Sequence, residues 1–308
     1  MAKAKKLNKA AQEVSTVRRA RHGGLLTVIF TIISLIWIYP LVVVTLNSFK
    51  KKAFIFKNPF GISRYSLFSD GAEKWEKGIK QVFFGMRNYV NAWNKTGFPR
   101  AFVFSLFITV FSVIVIILCT SMAAWYIVRV KSKFTSLFYI LCLFSMIVPF
   151  QMVMFTLSKF ANILHLGNPV GIIVVYLGFG AGLAVFMFTG FVKSISLEIE
   201  EAAMIDGCSP VQTFFKVVLP IMKPTVMTVT ILESMWIWND YLLPALVLNI
   251  NKYKTIPIAV QYLKQSHGNI DWGAMMAVLV MAIIPIVIFY AFAQKYIIEG
   301  VLAGAVKG

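Results

Sequence analysis

Few residues in this chain could do chemistry, and they fall into two groups. The first is Glu233, Trp236 and Asp240. They stand at i, i+3 and i+7 of an apolar run, which predicts one shared helix face. An ionisable side chain in the middle of such a run is costly and functional by default. Carboxylates accept hydrogen bonds from hydroxyls, and an indole stacks on the apolar face of a pyranose, so the trio suits a sugar. It equally suits a polar contact between this helix and one of another subunit. Gln151, beside Pro149 in an earlier apolar run, is a further candidate for the same path.

The second group is a polar, turn-bearing stretch between long apolar runs: Glu198, Glu200, Glu201, Ala202, Ala203, Asp206 and Gly207, followed by Leu219 and Pro220. A membrane-embedded chain has little reason to build such a loop unless something docks on it. Ser196 can cap a helix starting at Leu197, with the acids near its positive end. Ala202 and Ala203 keep one face small. Gly207 can take φ > 0 and turn the chain. Ser209-Pro210-Val211-Gln212 then reads as a second helix start, with a capping Ser, Pro at the first position and Gln at the third. A helix lying flat on the membrane is the competing reading, but its acids would then face anionic headgroups.

No other constellation supports catalysis, and no catalytic, cofactor or metal residue is expected. Gly178, Gly180 and Gly182 are followed by no Gly-Lys-Ser/Thr, which excludes a phosphate loop and leaves close helix packing, with a hinge or a pore kink as the alternative. Cys119, Cys142 and Cys208, like His22, His165 and His267, are too dispersed for a disulfide framework or a metal site.

The elements that must position these residues are membrane helices. Of 308 residues 59% are hydrophobic and 14% charged, against about 25% charged in a soluble domain. Continuous apolar runs, long enough to cross about 30 Å of hydrocarbon at 1.5 Å per residue, predict six spans at 24–46, 101–128, 135–157, 169–192, 222–248 and 273–293. The expected fold class is therefore all-α and polytopic, with no barrel because the runs do not alternate. A net charge of +18 is read as contact with membrane lipids and not with nucleic acid, since the bases lie in loops and tails.

The expected organisation is a basic tail at 1–22 and a transmembrane domain at 23–308. The latter carries an external loop at 47–100, a cytoplasmic loop at 193–221 and a cytoplasmic C-terminal tail at 294–308. Arg18, Arg19 and Arg21 abut the first span and favour an N-terminus inside. That span is longer than a signal-peptide core and has no small-residue cleavage site after it.

The pattern Glu201-Ala202-Ala203, three residues, Gly207, nine residues, then Val217, Leu219 and Pro220 resembles the cytoplasmic loop of ABC-importer permeases. Val217 stands where that family most often has Ile. Trp238-Asn239-Asp240-Tyr241-Leu242-Leu243-Pro244, the Tyr39-Pro40 and Asn47-Ser48-Phe49-Lys50 segments, and the C-terminal Gln294-Lys295-Tyr296 with Gly304-Ala305-Val306-Lys307-Gly308 are similar to its carbohydrate branch, the maltose and oligosaccharide type with six spans. The resemblance covers most of 24–308. It implies a coupling helix, with Glu200, Glu201, Ala202, Ala203, Asp206, Gly207, Leu219 and Pro220 at an ATPase contact. It implies Gly304, Ala305, Val306, Lys307 and Gly308 as a second such contact. Two ATPase subunits that bind ATP and Mg, one sister permease, an external solute-binding protein and a carbohydrate substrate would complete the system in the cytoplasmic membrane of a prokaryote. The chain would itself hydrolyse nothing. Two departures stand out. The Glu233 slot is more often uncharged in the family, and 61–87 reads as an insertion. Another binding-protein-dependent solute, or a self-sufficient secondary transporter, remain the alternatives.

Overall fold

The computed structural model describes residues 23–265 and 270–305. The chain divides into two units, 1–83 and 84–308, and among the described residues the regular structure is helical throughout, apart from one isolated bridge between Lys50 and Phe83.

The first unit begins with α1, Gly23–Ser48, about 39 Å long at 1.5 Å per residue. It contains Pro40. Beyond it come α2 (Lys52–Lys57), α3 (Leu67–Asp70) and α4 (Ala72–Val82), with Ile55 and Val82 buried and polar contacts fastening the segment after α2 to the end of α1. Asn47 Nδ2 donates to Pro59 O at 3.0 Å, and Lys50 Nζ donates to Asn58 O and Pro59 O, each at 3.0 Å. Burial holds the Lys50 ammonium below the usual lysine pKa.

The second unit runs from α5 (Arg87–Thr96) and α6 (Phe98–Arg129) through α7 (Lys133–Ile147), α8 (Phe150–Ile163) and α9 (Gly171–Val192). Then come α10 (Leu197–Ile205), α11 (Pro210–Ile221), α12 (Lys223–Asn239), α13 (Leu242–Val247), α14 (Ile256–Gln265) and α15 (Trp272–Ala305). The centre is α9. Its Ile172, Tyr176, Ala184 and Phe188 pack with Ile108 and Ile116 of α6 in one buried cluster. A second cluster joins Ala92, Phe98, Trp238, Ile256, Ala274 and Val278.

Of Gly178, Gly180 and Gly182 in α9, two let helices approach closely. A Cβ on Gly180 would lie 2.6 Å from Ile116 Cδ1, and one on Gly182 would lie 2.7 Å from Cys142 O. A Cβ on Gly178 would meet nothing within 4 Å.

Four of the expected spans are single helices, α1, α6, α9 and α15. The other two are broken. The expected 135–157 span bends by 108° between α7 and α8, because Pro149 has no N–H to continue α7 and pushes Val148 into an extended conformation (ψ 119°). The expected 222–248 span does not run through. It begins with a 76° bend between α11 and α12, and it stops at Asn239 because Asp240 is extended (ψ 123°) and starts α13 instead. Counting each bent pair as one span gives six.

Candidate functional site

Local capping chemistry shapes the 193–221 loop. Ser196 Oγ accepts from Glu198 N at 3.3 Å and starts α10. The helix ends where Gly207 takes φ +88°. There Gly207 N donates to Met204 O and Cys208 N to Ala203 O, each at 3.0 Å, the paired bonds of a left-handed helix stop. Ser209 and Gln212 then cap each other, Gln212 N to Ser209 Oγ at 3.3 Å and Ser209 N to Gln212 Oε1 at 2.9 Å. Inside α11, residues Phe214–Val218 form a π turn. It seats Phe214 against Trp125 of α6, with ring centroids 5.5 Å apart, and buries Val218.

The acids of α10 divide between two directions. Glu201, Ala202, Asp206 and Gly207 are exposed, with Ala203 half-buried, and Ile205 beside them is 86% exposed. Glu200 is only 1% exposed. Its Oε1 accepts from Arg129 Nη2 at 2.6 Å and from Arg129 Nε at 3.0 Å, and its Oε2 accepts from Trp125 Nε1 at 2.9 Å. Arg129 Nη2 also donates to Ile195 O at 3.0 Å. Glu200 thus departs from the expectation of acids clustered at an outward-facing helix end. Its carboxylate faces inward because a base and an indole donor at the end of α6 satisfy it there. Arg129 and Trp125 are two residues of this locus that sequence reasoning missed. Further along, Leu219 is half-buried and Pro220 exposed, where α11 turns into α12.

The predicted trio on one helix face is not one. Glu233 is 2% exposed in the middle of α12. A Cβ on Gly180 would stand 3.0 Å from Glu233 Oε2, so the carboxylate lies against α9, and this oxygen accepts no hydrogen bond among the described residues. Asp240 lies beyond the end of α12. Its Oδ1 accepts from Leu242 N at 2.9 Å, and its Oδ2 accepts from Tyr176 Oη at 3.1 Å. The ring of Tyr176 meets Trp236 edge to face, with centroids 5.5 Å apart, and Trp236 is 40% exposed. Trp236 and Asp240 therefore meet on Tyr176, a residue without any signal in the sequence pattern, while Glu233 sits apart in the packed core. Gln151 is exposed in the first turn of α8. Gly304 and Ala305 fall in the last turn of α15. Val306, Lys307 and Gly308, like the 1–22 tail, lie outside the described residues.

With this geometry in place, comparison with known proteins is informative. Residues 116–302, which contain both loci, match the family described as binding-protein-dependent transport system inner membrane component. The chain belongs to that family. The probable starch degradation products transport system permease protein AmyC of Thermoanaerobacterium thermosulfurigenes is 38% identical over 92% of this chain and 96% of its own length. The multiple sugar-binding transport system permease protein MsmG of Streptococcus mutans is 32% identical over 91% of this chain and 95% of its own. A crystal structure of a bacterial ABC transporter involved in the import of the acidic polysaccharide alginate includes a chain with the same fold, at TM-score 0.69 and 23% identity, covering 91% of this chain and 98% of that one.

In this inner-membrane component the α10–α11 loop is fastened on one side and open on the other. Its inner side is held to α6 by Glu200 and Phe214. Its outer side offers an acid, a short alanine face and an exposed isoleucine.

Proposed function

We propose that this chain is a permease subunit of an ATP-driven carbohydrate importer, and that α10 is its coupling helix. The observation that carries this reading is the outward presentation of Glu201, Ala202, Asp206 and Gly207 on a helix whose opposite side is fastened to a membrane span. Two ATPase subunits would bind ATP and Mg, dock on that face, and pull the loop as a unit when they close. The loop must touch the two nucleotide states differently, or no displacement is transmitted. A sister permease would complete the path, and an external solute-binding protein would deliver the cargo. The 193–221 loop, the 1–22 tail and the 294–308 tail would then face the cytoplasm, and the 47–100 loop the exterior.

Carbohydrate cargo is supported by the starch-product and sugar transport systems after which AmyC and MsmG are named and by the chemistry of one locus. Half-exposed Trp236 offers a stacking face, and Asp240, fixed by Tyr176, offers an acceptor for hydroxyls. Glu233 acts through packing against α9 in this arrangement, so the sugar contact is assigned to Trp236 and Asp240.

The test is isolation of the tagged chain from its native membrane in mild detergent, with partners identified and counted by mass spectrometry. One sister permease and two copies of an ATPase are expected, with ATP hydrolysis stimulated by the sugar-loaded binding protein. A lone homo-oligomer that still transports would overturn the reading.

A further inference from the structure

Where α6 ends, α7 begins and α9 ends, the chain leaves an open cavity of about 1030 Å³. Four bases line it, Arg129, Lys131, Lys133 and Lys193, and no acid does. Arg129 spends its charge on Glu200 behind the wall. Lys131, Lys133 and Lys193 are exposed and make no ion pair among the described residues. The positive end of α7 adds to the same field. Below the bases the lining turns apolar, through Leu137 and Ile140. Both are more than half exposed on α7, an element of one of the broken spans. The cavity therefore has a cationic rim where α6 and α9 end and α7 begins, and an apolar strip, Leu137 and Ile140, that runs along α7 beside Ser136 and Tyr139.

We propose that this cavity binds an anionic phospholipid, its phosphodiester between Lys131, Lys133 and Lys193 and one acyl chain along Leu137 and Ile140. A free phosphate would satisfy the lysines and leave the apolar wall unused, and an acidic protein segment would have to reach below the headgroup level. A lipid matches both halves at once. The inference rests on α6, α7 and α9 lying in a membrane and not on the cargo, so its failure leaves the import reading untouched.

The experiment uses the full chain, purified with the subunits that accompany it and placed in nanodiscs of phosphatidylcholine with a minority of phosphatidylglycerol. Retained lipid is measured by native mass spectrometry. Wild type should retain phosphatidylglycerol in preference to phosphatidylcholine. The K131Q/K133Q/K193Q variant should lose affinity on the order of a hundredfold, about fivefold per base. Leu137→Asn should weaken lipid retention with the lysines intact. All four residues are exposed, and an unchanged circular dichroism spectrum and elution volume confirm that the variants fold. Three results would overturn the proposal. Equal retention by wild type and the triple variant removes the site. Displacement of the lipid by inorganic phosphate, with Leu137→Asn silent, makes it a free-anion site. Capture of a partner protein and no lipid by a photo-cross-linker at Ser136, which also lines the cavity, makes it a protein interface.

Discussion

Arg129→Gln should free the α10 loop from α6. In the native chain Glu200, 1% exposed, accepts two bonds from Arg129 and one from Trp125, and the Arg129 side chain is 19% exposed. Removing the guanidinium leaves a buried carboxylate with the indole as its one remaining donor. Breaking a buried pair from one side costs about 3–5 kcal/mol. The substitution also removes the bond from Arg129 to Ile195 O, which anchors the chain just before α10. Since about 1.4 kcal/mol is tenfold in an equilibrium, the population in which α10 has lifted from α6 should rise by at least about a hundredfold. Hydrogen exchange read by mass spectrometry on peptides covering 193–213 reports that population. Arg129→Lys keeps the charge but not the fork of donors, so it should accelerate exchange by less. Doubling Arg129→Gln with Glu200→Gln should recover part of the loss, because a neutral amide is cheaper to bury than an unpaired carboxylate. Exchange over 193–213 that is unchanged in Arg129→Gln would refute the clamp. Equal acceleration throughout the chain would show global destabilisation in its place.

Three further outcomes are expected. Glu201→Arg should abolish coupling between ATP hydrolysis and uptake while leaving exchange over 193–213 at wild type, because the Glu201 side chain faces out and forms no ion pair among the described residues; normal uptake by the reconstituted variant would defeat the docking role. Gly182→Ala should destabilise by about 1–3 kcal/mol, since its Cβ would stand 2.7 Å from the Cys142 backbone oxygen. Gly178→Ala, with nothing within 4 Å, should be neutral or up to about 1 kcal/mol stabilising, and thermal unfolding of the purified chain ranks the pair. Asp240→Ala removes the acceptor for Leu242 N and the partner of buried Tyr176, which should cost about 1–3 kcal/mol and reduce sugar uptake, whereas Asp240→Asn keeps an acceptor oxygen and should lose less in the same melting assay.

The loop ends were legible in the sequence because capping is local. Ser196, Gly207 and the Ser209–Gln212 pair act on backbone groups two to five residues away, so residue type and spacing carry the information. The breaks in the third and fifth spans were not. Hydropathy sees an apolar run and reads one helix, yet a break inside protein needs few polar residues when a side chain can take over the freed backbone groups. Asp240 does this for Leu242 N. The available signals were Asp240 and Pro244 in one short segment, and Val148-Pro149 in the other, each able to stop a helix where apolar composition continues. The Tyr176–Asp240 bond spans 64 positions and leaves no periodic trace.

Glu200 and Glu201 mark the limit of such reading most sharply. The two are adjacent, identical in type and part of one acidic run. An α-helix advances 100° per residue, so neighbours cannot share a face, and one of the two must turn toward whatever the helix lies on. Which one turns inward depends on where a base stands in three dimensions. Arg129 stands 71 positions earlier, at the end of α6, where nothing local links it to α10. Once it is placed, the roles separate. Glu200 is held by α6 and keeps the helix seated. Glu201 is left open, at the face where the proposed ATPase subunit would dock.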